Sequence, residues 1–100
     1  MRRGTTPTHT FTIPFDVANV SDALIVYAQN DLEILRKTAP HCHMDGNTIS
    51  VELTQEETLK FNCHKKVQIQ VRVLTTEGKA LASNIITADV EKCLSNEVLV

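Results

Sequence analysis

Apolar and polar positions alternate with period two over much of this chain. Phe11, Ile13 and Phe15 alternate with Thr10 and Thr12. Ile49, Val51 and Leu53 alternate with Ser50 and Glu52. Val67, Ile69, Val71 and Val73 alternate with Gln68, Gln70 and Arg72. Such a pattern puts one face of a strand in a core and the other in water. Pro14 has no backbone N–H to give to a ladder, so the segment from Thr8 to Phe15 reads as an edge strand. The segment from Ala23 to Gln29 differs. It is apolar on both faces, with Leu24, Val26 and Ala28 against Ala23, Ile25 and Tyr27. A strand of that kind is central in its sheet, or its second face is covered by another molecule.

Turn residues divide these runs. Asn30-Asp31 leads into a strand from Leu32 to Thr38, making a hairpin. A short helix over Asp31 to Lys37, with Glu33 and Lys37 paired, is the competing reading. Ala39 to Met44 is a loop, and Asp45-Gly46 turns the chain into the strand that ends at Leu53. Thr54-Gln55-Glu56-Glu57 has the spacing of a capping box. It predicts one short helical turn near 54–60, with Leu59 and Phe61 closing the end of the core. Gly78 marks a hairpin loop after the strand Val67 to Leu74. Ala80 to Val90 reads as one last long strand, with Ala82, Ile86, Ala88 and Val90 on one side. Residues 1–7 are polar and read as a flexible arm or an arm that docks on a partner. Residues 8–100 form one all-β unit, an antiparallel sandwich of about six to seven strands.

Composition narrows the class of function. One hundred residues make one domain with one core. The net charge of −2 argues against nucleic acid or an anionic membrane as the main partner. Aromatic residues are 4% of the chain and Trp is absent, which weighs against a carbohydrate-binding sandwich. No apolar run follows Arg2 and Arg3, so no signal peptide or membrane span is expected. The three cysteines Cys42, Cys63 and Cys93 are odd in number. Free thiols in a reducing cytoplasm are the expectation, with a disulfide between two of them left open.

Candidate chemistry is thin. His41, His43, Cys63 and His64 carry donors that suit Zn²⁺, and a small metal-binding regulatory module is the alternative they raise. Their spacing matches no zinc pattern, and His41, Cys42 and His43 would point in alternating directions along an extended segment. Cys42 with His43, or Cys63 with His64, lacks the orienting group and oxyanion site a nucleophilic pair needs. Glu57 is explained by the cap, and Glu56 by a solvated position. Lys60, Lys65 and Lys66 read as a solvated strand start. No catalytic set converges, so no enzyme and no cofactor is expected. The candidates for contact with another protein are Ala23, Ile25 and Tyr27, on the second face of the two-sided strand. Gln68, Gln70 and Arg72 join them as a polar stripe of adaptable donors and acceptors.

The run from Ile49 to Thr58, the strand Val67 to Val73 and Glu77-Gly78-Lys79 together resemble the immunoglobulin-like domains of tailed-phage baseplate and tail accessory proteins. In those a strand ends in a leucine-threonine turn, an alternating valine strand follows, and an acidic-Gly-Lys hairpin leads to the last strand. Gly4-Thr5-Thr6-Pro7-Thr8-His9-Thr10-Phe11 also resembles the start of small phage and prophage proteins of gut Firmicutes. The resemblance spans roughly Thr8 to Val90. It implies an immunoglobulin-like β-sandwich that serves assembly, here as a non-enzymatic virion component of tail or baseplate. Its partners would be itself, as a homo-oligomer, or neighbouring virion proteins. Its location would be the bacterial host cytoplasm during assembly and the virion afterwards. The chain stops near the end of the sandwich, where the baseplate proteins carry a further receptor-binding or linker region, so a stand-alone accessory protein fits better than a full baseplate role.

Overall fold

The alternating segments form strands, although the first ends at Thr12, short of the expected Phe15, where Pro14 cannot continue a ladder. The computed structural model describes every residue from Met1 to Val100. Strand β1 (Thr8–Thr12) is followed by a 3₁₀ turn at Val17–Asn19, which Asp16 caps by accepting from the Ala18 N–H at 2.8 Å. Strands β2 (Val20–Gln29) and β3 (Leu32–Thr38) form the expected hairpin. Asn30 and Asp31 both have positive φ, at 52° and 62°. That is the two-residue turn whose twist matches a β-hairpin, and Asn and Asp tolerate it better than most residues. The helical alternative for 31–37 is thereby excluded, and Glu33 pairs with Arg36 instead of Lys37.

A 3₁₀ turn at Ala39–His41 and the short β4 (His43–Asp45) occupy the predicted loop. Strand β5 (Thr48–Glu52) leads to helix α1 (Gln55–Thr58). The capping box forms in both directions: the Glu57 N–H donates to the Thr54 hydroxyl at 3.1 Å, and the Thr54 N–H donates to the Glu57 carboxylate at 2.8 Å. Strand β6 (Val67–Thr75) is the longest regular partner of β2.

The predicted last strand, Ala80 to Val90, is not continuous. It is split into β7 (Ala80–Ala82) and β8 (Ile86–Ala88), both paired to β6. The break has a cause in hydrogen bonding. The Ser83 hydroxyl accepts from the Val71 N–H at 3.0 Å, and the Ser83 carbonyl accepts from Gln70 at 2.9 Å. These bonds pin Ser83 to β6 while Asn84 and Ile85 bulge outward.

Strands β1, β5 and β4 make one sheet, in that order. Strands β3, β2, β6 and β7 make the other, with β8 also on β6. An immunoglobulin sandwich holds strands A-B-E-D in one sheet and C′-C-F-G in the other. Here β1, β5 and β4 take the positions of B, E and D. Strands β3, β2, β6 and β7/β8 take those of C′, C, F and G. The fold is an immunoglobulin-like sandwich in which no strand runs beside the outer edge of β1.

The core lies between the sheets: Ile25, Tyr27, Ile49, Val51, Leu53, Phe61, Val67 and Val71 all lie at 5% exposure or less. The arm at 1–7, expected to be flexible or bound to a partner, is tied to the body of the chain itself. The N-terminal ammonium pairs with Glu91 at 2.8 Å, Arg3 donates to the Leu59 carbonyl, and the Gly4 N–H donates to the Thr58 hydroxyl. Thr58 is fully buried, and its hydroxyl donates in turn to the Thr5 carbonyl at 2.9 Å. A buried hydroxyl needs such partners, and the arm supplies them.

Candidate interaction surfaces

The contact residues expected on β2 are inside. Ala23, Ile25 and Tyr27 are 3%, 0% and 0% exposed, so they hold the core and offer no surface to a partner. The strand is apolar on both faces because it is central, between β3 and β6. Its outward residues are Leu24, Val26 and Ala28, each half-buried. They stand in register beside Arg72, Gln70 and Gln68 of β6, and Leu24 and Val26 beside Thr38 and Arg36 of β3. Polar rows therefore flank the apolar one.

The polar stripe faces outward as expected, but two of its members are engaged within the chain. Gln68 donates to the Asp31 carboxylate at 2.9 Å and accepts from the Asp31 N–H at 2.8 Å, which braces the hairpin turn. Gln70 holds Ser83. Arg72 is exposed and makes no side-chain hydrogen bond or ion pair.

His41, His43 and His64 are exposed and Cys63 is half-buried. No three histidine, cysteine or acidic side chains come together in a geometry that could hold a metal ion. Cys42, Cys63 and Cys93 are free thiols. The Cys42 thiol donates to the Thr38 carbonyl, and burial pushes its pKa up despite the nearby Lys37 cation. A thiol in that state is held away from the nucleophilic thiolate.

One titratable cluster escaped the sequence. His9 on β1 and Tyr27 on β2 join the two sheets through a 2.7 Å contact between Nδ1 and the phenol oxygen. Burial raises the Tyr27 pKa, helped by neighbouring Cys42 and Glu57, so the phenol stays protonated and donates. Burial, then the N-terminal charge, lowers the His9 pKa and keeps the ring neutral to accept. Nearby, Lys37 and Glu57 form an ion pair at 2.8 Å with side chains only 12% and 19% exposed. Burial would raise the Glu57 carboxyl, but hydrogen bonds from Lys37 and the Thr54 backbone outweigh it and hold the pKa below the usual range. These groups join β1 to β2 and β3 to α1. Nothing in them activates a nucleophile.

The open surface lies elsewhere, between β1 and β7/β8. A groove of about 510 Å³ runs there, lined by Phe11, Ile13, Phe15, Val73, Leu81 and Ile86 among others, with no charged side chain. Its origin is the unequal width of the sheets. Leu81 and Ile86 stand in register beside the inward-facing Val73 and Ile69. They point toward the core side, yet remain 45% and 49% exposed because the narrower sheet stops at β1.

The strand bordering this groove also has unused backbone groups. The Ile13 N–H donates to Asn47 and the Pro7 carbonyl accepts from Leu53, so the odd-numbered residues face β5. By the alternation of an antiparallel ladder, the N–H and C=O groups of Thr8, Thr10 and Thr12 point out from the free edge. Thr10 and Thr12 line the groove along with Phe11 and Ile13, so it follows the strand's edge. The Pro14 signal identified this edge in the sequence. The groove beside it had no signal, because its walls come from four separate strands, β1, β6, β7 and β8.

Among known proteins, no family model matches the chain, and no curated protein matches it. A solved structure, the V domain of amphioxus IgVJ-C2, is similar at 8% identity with a TM-score of 0.38. The likeness covers 90% of this chain and 96% of that one. No helix is long and apolar enough to cross a membrane.

Proposed function

We propose that this domain is a non-catalytic assembly module that binds another protein through the free edge of β1 and the groove beside it. The observation that carries the reading is the juxtaposition of unpaired strand backbone with an uncharged apolar groove. Natural sandwiches protect such edges with charge, proline, bulges or a covering element. Here Thr8 to Thr12 offers no charged side chain, and the groove offers apolar area to whatever pairs with it. An added strand would satisfy both: backbone hydrogen bonds along β1, and alternate side chains in the groove. The virion setting, in a tail or baseplate, is supported by the resemblance of residues 49–79 to phage tail domains.

The test is to isolate the protein from its native cells under gentle conditions and weigh its complexes by native mass spectrometry. The expected result is a stoichiometric complex, homomeric or with a particle protein, which Thr10→Pro reduces to monomer. Thr10 is the right position because its N–H faces away from β5, where proline is tolerated in an edge strand. A monomer throughout, or a complex indifferent to Thr10→Pro at unchanged melting temperature, contradicts the reading.

A further inference from the structure

We propose that the occupant of the groove is the segment Leu94–Val100 of a second copy of this chain, added to β1 as a strand. The inference rests on the assembly reading above and names its partner. The segment lies outside both sheets, and Leu94, Leu99 and Val100 are among the most exposed apolar residues of the molecule, Leu94 at 97% and Leu99 at 73%. Its backbone is tied down only at Leu99, whose N–H and carbonyl meet the Gln55 side chain at 2.8 and 2.9 Å on the surface.

Length and pattern both fit. At roughly 3.3 Å per residue, the seven residues of an extended segment reach about 23 Å, close to the span of Thr8 to Phe15. Extended, it places Leu94, Asn96, Val98 and Val100 on one face and Ser95, Glu97 and Leu99 on the other. A groove without charge selects the register that keeps Glu97 in water, so Val98 and Val100 enter and Leu99 stays outside. Slipping by one residue would bury Glu97 instead. The donor segment is anchored at Gln55, beyond the end of β5, which pairs with the start of β1. The groove lies over the other half of β1 and the residues that follow it, from Thr10 to Phe15. One copy would therefore give from one end and receive toward the other. Such heterologous contacts run head to tail and grow into rings or filaments.

The experiment uses the full chain in sedimentation-velocity runs over a concentration series. Wild type should self-associate. Thr10→Pro should weaken association at the groove by removing an N–H that the added strand pairs with, and Val98→Asp with Val100→Asp should weaken it at the donor by the apolar area lost, each by roughly tenfold or more. Leu81→Asp, on the exposed groove wall, replaces Thr10→Pro if the proline variant does not fold. Mixed together, the groove variant and the donor variant should form a one-to-one dimer, since each supplies what the other lacks. Wild type that stays monomeric at every concentration overturns the inference, as does a mixture that fails to pair. A donor variant that associates like wild type while Thr10→Pro does not would overturn only the choice of occupant and leave the groove as the assembly site.

Discussion

The two ends of this sandwich are built on opposite terms. At the α1 end, the polar groups reaching the core are answered from within the chain, the buried Arg3 Nε excepted. Thr58 bonds the arm, and Gln29 donates to the carbonyls of Asn62 and Lys65 while accepting from the Asn62 N–H. Lys37 meets Glu57, and Tyr27 meets His9. At the β1 edge the reverse holds: backbone groups face outward unpaired and apolar side chains stand half-exposed. Buried polar groups left unsatisfied cost stability, so a closed network marks a region selected for holding the fold. An open edge adds little to folding and leaves a template on which another strand can pair, the feature that the proposed contact uses.

That contrast can be broken most severely at the closed end. Phe61 is 1% exposed and packs edge-on to Tyr27, with ring centroids 6.0 Å apart. Phe61→Ala should cost about 3–5 kcal/mol in urea unfolding, through lost burial and the cavity left behind. Glu57→Gln should cost less, about 1–3 kcal/mol, by leaving Lys37 half-buried without its partner and weakening the cap.

A smaller effect separates the two regions by pH. The folded state holds His9 neutral, with its pKa lowered, while the unfolded chain takes up a proton near the ordinary value of about 6.5. Stability is therefore full above that value, declines as pH falls toward the lowered folded value, and levels off below it. His9→Gln should flatten that part of the stability profile. The smallest folding effect belongs to the open edge. Leu81→Ser, at a position 45% exposed, should change stability by about 0.5 kcal/mol or less while weakening assembly.

The sequence disclosed strands wherever one face alone was apolar, as in β5 and β6. It also disclosed the Thr54–Glu57 cap, whose chemistry is local. It failed where the deciding information was not local. On β2 both faces are apolar, so period two could not say that Ala23, Ile25 and Tyr27 face inward. Gln29 shares their face and even argued the other way, since its burial makes sense only once Asn62 and Lys65 are beside it. Gln68 and Gln70 read as free donors because their acceptors are far off in the sequence, Asp31 in the β2–β3 turn and Ser83 in the break between β7 and β8. Ser83-Asn84 was a turn signal inside the last strand, and weighting it would have split β7 from β8. The groove follows from a difference in sheet width, which no single segment carries.

The central claim is that the outward amides of β1 are a binding edge. Residue-resolved amide exchange, measured on the isolated monomer and again on the assembled complex, tests it most directly. The account predicts that the amides of Thr8, Thr10 and Thr12 exchange rapidly in the monomer and become protected in the complex, while those of Phe11 and Ile13 are protected in both. Equal rates for the three threonines in the two states would contradict it.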